Sequence, residues 1–167
     1  MVLERARLLL ARARADEFPN ETARREAFQT LLPDLIGYSA ALDFAGGAEN
    51  FELTVNDSRL FFDTLYGGVV FEFESSIDGA QGVHARDQLV QYCTQQIQAG
   101  RGNIIAVASD VERWRIYDVS DDGNGVAELS LAPNGEIDLS EGELSDQRLM
   151  AWVRFTQRLI GGRLREW

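Results

Sequence analysis

The chain predicts an α/β fold, with a mixed, partly antiparallel central sheet and helices on its faces. Three observations point to it. Tyr66-Gly67-Gly68-Val69 joins two strand-like runs, and a Gly-Gly pair supplies the positive φ angles that a two-residue hairpin loop requires. Next, residues 83–99 carry apolar positions at helical spacing and lead into the apolar run 104–108, which has the character of a buried parallel strand. Strand, helix and strand in that order form a crossover, which is right-handed in almost all proteins. Finally, residues 2–15 and a segment starting near Ser145 read as flanking helices toward the two ends.

The elements follow in order. Residues 2–15 form a helix with apolar and arginine faces. Pro19-Asn20 interrupts the chain, and Asn20 is placed to cap a second helix that runs to about residue 36. Phe28, Leu31, Leu32 and Leu35 recur along it at helical spacing, and Pro33 kinks or terminates it. Glu21 opens this helix, where a carboxylate favours the positive end of the helix dipole. Residues 37–50 are a Gly- and Ala-rich connection, and 51–56 read as a first strand leading into the hairpin. Residues 75–79 form a loop.

In the helix over residues 83–99, Leu89, Cys93 and Ile97 stack as the buried stripe. Gln88 and Tyr92, four residues apart, make an adjacent polar row. That row is a surface boundary or, if the helix crosses the sheet, a neighbour of the hairpin. Gly100 and Gly102 end the helix. Residues 114–119 form a further strand, and Gly123-Asn124-Gly125 an exposed loop. Two short strands are expected on either side of Pro133-Asn134-Gly135, a hairpin-turn signal. The last helix turns Leu149, Trp152 and Val153 toward the body and ends at Gly161-Gly162. No repeat or low-complexity tract breaks the chain, so residues 1–167 read as one domain. A length of 167 residues with 45% hydrophobic content is enough for a real core.

The hairpin carries the chemistry. With Tyr66 opposite Val69, counting back places Asp63 opposite Glu72. Directly opposed residues share a face, with Cβ atoms about 4.5–5.5 Å apart. Glu74 falls two residues beyond Glu72 and so shares that face. Phe62, Tyr66, Val69, Phe71 and Phe73 occupy the other, core-facing side. Three carboxylates on one face are tolerated if they share a proton, if a cation sits among them, or if the face is wet. On the pattern alone, a solvated hairpin edge and a site stand side by side.

The run Asp63-x-Leu65-Tyr66-Gly67-x-Val69-Val70-x-Glu72-x-Glu74, followed by Gln88-x-x-x-Tyr92, resembles the PD-(D/E)XK nuclease-like domain at the N-terminus of type I and type IIG restriction–modification proteins. The stretch 104–118, with Ile105-Ala106-Val107-Ala108-Ser109-Asp110 and then Trp114-Arg115-Ile116-Tyr117-Asp118, is similar to the strand pair that follows the same helix there. The resemblance covers about residues 20–119; residues 120–167, an extra hairpin and C-terminal helix, carry no family signal. It implies a restriction-endonuclease-like core and metal-dependent DNA endonuclease activity within a restriction or phage-defence system. Mg²⁺ or Mn²⁺ would be the cofactor. Asp63 would bridge metals, Glu72 and the carbonyl of Phe73 would hold one, and Glu21 would reach toward the site from its helix. Gln88 and Tyr92 would stand beside it. One position departs from the family: its lysine is Glu74 here. Either Glu74 holds a second metal, as in some type II restriction enzymes with Glu-x-Glu, or catalysis is lost and the fold serves DNA binding or docking to a DNA methyltransferase or target-recognition partner.

Composition narrows the alternatives. The net charge is −11, and all 16 basic residues are arginine. An acidic chain does not attract DNA on its own, because nonspecific affinity comes from cations displacing phosphate counterions. With no lysine, no P-loop can form, and Arg86, the cation nearest the hairpin in sequence, is a charge clamp and not a base. His84 is the one histidine, which excludes a multi-histidine metal centre within the chain; it reads as a loop or helix-start residue. A single cysteine, Cys93, leaves no internal disulfide and fits a reducing cytoplasm. No apolar run approaches the roughly 18 residues of a membrane span. Arg154, Arg158, Arg163 and Arg165 concentrate positive charge at the end of the chain. They either complement the last helix dipole or mark where a following domain or separate partner supplies target recognition.

Overall fold

The computed structural model describes residues 2–36 and 69–161, together with the backbone of three strands between them. The elements are α1 (Val2–Arg14), α2 (Glu21–Ile36), β1 (Glu52–Val55), β2 (Ser58–Phe61), β3 (Thr64–Tyr66), β4 (Val69–Phe73), α3 (Gly79–Gln98), β5 (Ile105–Ser109), β6 (Arg113–Asp121), β7 (Ala127–Asp138) and α4 (Asp146–Thr156). A π-helical turn, Gln157–Gly161, continues α4. Strands β3 to β7 form one five-stranded sheet in sequence order, and β1 pairs with β2 separately. The chain is therefore a mixed α/β protein with a mixed sheet flanked by helices, as the sequence predicts at that level.

The central crossover takes the expected form. β3 and β4 are antiparallel, with Tyr66 opposite Val69, which is the register a two-residue loop at 67–68 imposes. β4 and β5 are parallel, with Phe73 opposite Ser109, and α3 bridges them. β6 and β7 then add antiparallel. Every residue of β4 is buried, as befits a strand covered on both faces.

The two faces bury different residues. Val69, Phe71 and Phe73 join a core built with α1, α2 and α4. Its centre is aromatic: Phe28 lies 5.0 Å from Trp114 and 5.7 Å from Phe73 by ring centroids, and Trp114 lies 6.1 Å from Trp152. Val70 and Ala106 face the opposite way, against Ala85, Leu89, Tyr92 and Cys93 of α3. Cys93 is fully buried, and that burial pushes its thiol up to about 12. It is inert core, as its place on the apolar helix face suggested.

Helix boundaries follow their caps. Asn20 accepts from Ala23 N at 2.9 Å and starts α2, and Pro33 is carried inside its last turn. Ser145 accepts from Arg148 N and starts α4. α3 begins four residues before the expected position, at Gly79. Gly82 explains this. A Cβ there would stand 2.1 Å from the Ile77 carbonyl oxygen, so only glycine lets the loop carbonyl approach so early a helical turn.

Pro133-Asn134-Gly135 is not a hairpin turn. β7 runs as one strand through it, and both halves pair with β6. The register jumps from Arg115–Glu136 to Tyr117–Leu131, so residues 132–135 bulge outward opposite Ile116. Asn134 takes a positive φ of 53°, and a Cβ at Gly135 would stand 2.7 Å from two carbonyl oxygens. Those turn-forming residues make a bulge because the chain on each side still finds β6. The real reversal is the loop after β6, where Gly123 and Gly125 take positive φ and Asp122 N donates to Val126 O. Among the described residues no helix is long and apolar enough to cross a membrane.

Candidate functional site

β4 ends where its acidic residues begin to matter. Glu72 and Glu74 alternate with Phe71 and Phe73, so the aromatic rings enter one core while the carboxylates point toward the α3 side. Glu74 continues the strand line by donating its N–H to Ser109 O at 3.0 Å. The solvated-edge reading fails here: Glu72 is 4% exposed and Glu74 is 7% exposed. Two carboxylates so far out of water are costly unless hydrogen bonds or positive charge compensate them.

α3 covers this face with a row of polar side chains one helical turn apart. Tyr92 Oη donates to Gln88 Oε1 at 2.9 Å, and Gln88 Nε2 lies 2.8 Å from His84 Nε2. His84 Nε2 is in turn 3.9 Å from Glu74 Oε1. Gln88 and Tyr92 therefore do stand beside the carboxylate face, linked to it through His84. The spacing 84, 88, 92 puts all three on one side of the helix. Gln95 extends the row by nearly one more turn, and among the described residues its buried Oε1 accepts no hydrogen bond.

The loop between β4 and α3 sets the height of that row above the sheet, and a buried acid holds the loop. Asp110, 1% exposed at the end of β5, accepts from Ile77 N at 3.2 Å and from Arg113 N at 2.8 Å. Arg113 pairs with both Asp110 and Asp78. Arg115 donates to Ile77 O and to Asp78 Oδ1. From the other side of the sheet Arg24, only 4% exposed, donates to the Asp110 carbonyl at 2.8 Å. Burial pushes the Asp110 carboxyl above the ordinary carboxylate range, although hydrogen bonds from Arg113 and Ile77 oppose the shift. Next to it Val111 holds φ at 78°. A β-branched residue there is strained by about 1–3 kcal/mol. Ser109 Oγ keeps the turn in place, accepting from Val111 N and donating to Arg113 O, each at 2.9 Å.

The expected site residues divide as follows. Glu72 and Glu74 lie at the C-terminal end of β4, beside β5, where α/β sheets commonly seat ligands; Gln88 and Tyr92 follow along α3 and are joined to Glu74 through His84. Phe73 lies between the two glutamates with its ring in the opposite core, so any part it has in the site belongs to its backbone. Asp63 falls outside the described residues. Glu21 is not brought to this face: it is exposed in the first turn of α2, whose buried residues pack into the aromatic core across the sheet. There it sits at the helix N-terminus, the electrostatic position the sequence also suggested. Arg86 turns away and donates to Leu129 O of β7 at 3.1 Å. His84, read from the sequence as a loop or helix-start residue, is within α3 and part of the row. Asp110 had no sequence signal, because its loop partner is 33 residues away.

The donors fit a hard divalent cation in kind, since carboxylate oxygens are what Mg²⁺ and Mn²⁺ prefer. Among the described residues, however, no group of three or more acidic, histidine or cysteine side chains is close enough to hold a metal by itself. Comparison with family models, curated proteins and solved structures gave no match.

Proposed function

We propose that the chain is a metal-dependent phosphodiester-cleaving domain with DNA as substrate, acting in a restriction or phage-defence setting. One observation carries this reading: two nearly buried glutamates on one face of β4, roofed by the His84–Gln88–Tyr92 row. An interior strand used only for packing has no reason to keep two acids there. The hairpin, the crossover helix and its Gln-x-x-x-Tyr pair also support the restriction-endonuclease-like core that the resemblance implies. When bound, Mg²⁺ or Mn²⁺ would neutralise a phosphate and lower the pKa of a water. Glu72 and Glu74 would hold the ion. Gln88, fixed by Tyr92, would orient a phosphate or water beside them, and the loop pinned by Asp110 would keep α3 at a constant height. With a net charge of −11 the chain would rely on a methyltransferase or target-recognition partner for DNA affinity.

A second reading has its own support. Glu74 occupies the position where the resembling family has lysine, and this chain contains none. A fold of this kind that has lost cleavage would serve DNA binding or docking.

Thermal unfolding with divalent ions, run beside plasmid nicking, tests the proposal. At about 10 mM Mg²⁺ or Mn²⁺ the melting temperature should rise by about 3–5 °C. Glu72→Gln should remove most of that rise. The absence of any rise would exclude the metal-site reading. Glu74→Lys separates the two functional readings: nicking that appears only in the variant marks a decayed site, and nicking that disappears marks a working Glu-x-Glu pair.

A further inference from the structure

We infer that the groove between α1 and α2 is a docking site for an acidic amphipathic helix of a partner protein, with a leucine pair bracketed by two carboxylates. The inference goes beyond the reading of the carboxylate face and does not depend on it. α1 and α2 pack on one face of the sheet, and α3 covers the other.

The sequence of α1 sets the character of the groove. Ala6, Leu10 and Ala13 turn fully into the core, Leu9 lies at its margin, and Leu8 stands 62% exposed. Leu8 and Leu9 face Ala27 and Leu31 of α2 across a groove of about 180 Å³, with Arg5 and Arg12 also lining it. A single exposed leucine is ordinary on a protein surface. This one borders an apolar hollow and has a cation one helical turn to either side.

The charge of that strip runs against the rest of the molecule. The chain has a net charge of −11, yet α1 carries four arginines against one glutamate. Arg7 turns to Asp146 and Arg14 to the carbonyls of Leu139, Glu141 and Gly142, which leaves Arg5 and Arg12 at the groove. Arg5 pairs with Asp34 and Arg12 with Glu17, and all four side chains are partly exposed. Exposed pairs of this kind are weak and exchange readily with a second carboxylate. Arg12 meets Glu17 through Nε at 3.3 Å, and among the described residues its two terminal nitrogens make no hydrogen bond. The Phe18 ring packs 4.7 Å from its guanidinium carbon and holds the group in place. A planar guanidinium, fixed and with both ends open, is suited to a carboxylate from outside.

Arg5-x-x-Leu8-Leu9-x-x-Arg12 therefore specifies its own complement. Its two arginines are seven residues apart, which is about 10 Å along a helix. A partner helix reading Glu-x-x-Leu-Leu-x-x-Glu sets an acid at each arginine and its leucines over the hollow, in either direction along α1. Helices that lie in grooves are recognised through anchors at this spacing. A lipid surface fits less well, because the core takes most of the apolar face of α1 and leaves a narrow concave strip.

A fluorescein-labelled, alanine-based peptide carrying Glu-x-x-Leu-Leu-x-x-Glu, titrated with the 167-residue chain and followed by anisotropy, tests this. A Kd of about 1–100 μM is expected for so small a contact. Long-range repulsion by the chain opposes an acidic peptide, so binding reports the local arginines. Exchanging both peptide leucines for alanine, or both glutamates for glutamine, should weaken binding at least about tenfold. These arms leave the protein unaltered and so cannot fail through misfolding. Leu8→Asp and Arg12→Gln in the chain should weaken binding to a similar degree with little change in melting temperature, because both side chains face solvent. Amide shifts on peptide addition should gather on α1 and α2 and spare α3. No binding, or equal binding by the leucine-free peptide, would overturn the inference, as would shifts centred elsewhere. A Leu8-dependent dimer that takes up no peptide would assign the groove to a second copy of the chain. Leu8-dependent pelleting with phosphatidylserine vesicles, again without peptide binding, would assign it to a membrane surface. Either result replaces the acidic helix as occupant and ends the inference. The metal titration of the carboxylate face stands or falls separately.

Discussion

Strand β4 has one backbone and two chemistries. Val69, Phe71 and Phe73 point into a dry core with Phe28 and two tryptophans, covered by three helices. Glu72 and Glu74 point the other way, beneath the single helix α3. Both sides are buried; the aromatic side gains from it throughout, whereas on the α3 side Val70 gains and the two glutamates do not. Each large side chain on the aromatic side removes apolar surface from water, worth about 1.5–3 kcal/mol. On the second side burial works against the carboxylates, whose cost polar contacts must offset. The difference teaches where the molecule obtains its stability and where it can hold an unfavourable arrangement for function. A strained backbone and buried acids coincide at the carboxyl ends of β4 and β5, around Asp110, Val111 and Glu74.

The sharpest way to break this comparison is to cut each face of β4 once. Phe73→Ala removes a ring that is 1% exposed and contacts Phe28, Phe71 and Trp114. A loss of about 3–5 kcal/mol in denaturant unfolding is expected. Glu72→Gln, one residue away, should change metal-free stability far less, because it removes a buried charge while keeping the shape. If the two losses are equal, the faces do not differ in the way described.

The next effect concerns the loop that carries α3. Asp110→Ala should cost about 2–3 kcal/mol by stranding the Ile77 and Arg113 donors in a buried turn. Hydrogen exchange should speed up in the first turns of α3 more than in α1. Uniform acceleration across both helices would mean that Asp110 only adds stability and does not position the helix.

The sequence made the hairpin and crossover legible because their signals are local. Gly67-Gly68 allow only a short loop, which sets Tyr66 against Val69, and parity then sends Glu72 and Phe73 to opposite sides. Whether the acidic side was wet was not legible, because that depends on α3 lying across it. Pro133-Asn134-Gly135 misled for a related reason. The same residues suit a hairpin or a bulge, and only pairing with β6 on both sides decides between them. His84 was within reach, since its four-residue spacing from Gln88 matches the spacing of Gln88 from Tyr92. The spacing alone does not single it out, because the helix starts at Gly79, four residues before the position the sequence predicts, and His84 then lies well inside it.

The smallest expected effect compares the turns at the two ends of β6. Asp110 and Asp122 both accept backbone N–H bonds in tight turns, yet their titrations move in opposite directions. Asp110 is buried, and desolvation outweighs its hydrogen bonds, so its carboxyl is pushed up. Asp122 is exposed, and donors at Asn124 and Val126 hold its carboxyl below the ordinary value of 3.8. The consequences for stability have opposite signs. A carboxyl with a lowered folded value stabilises the fold above its unfolded value and loses that contribution as pH falls through the folded one. A carboxyl with a raised folded value favours the fold at low pH and opposes it as pH rises through that raised value. Asp122→Ala should therefore slightly lower the urea midpoint at pH 7, and the difference should vanish once pH falls well below 3.8. Asp110→Asn should instead flatten the decline in stability on the alkaline side of the carboxylate range. Urea midpoints from pH 2 to 8 for the parent chain and both variants would show this. Parallel pH profiles for the two variants would mean that burial does not separate these turns.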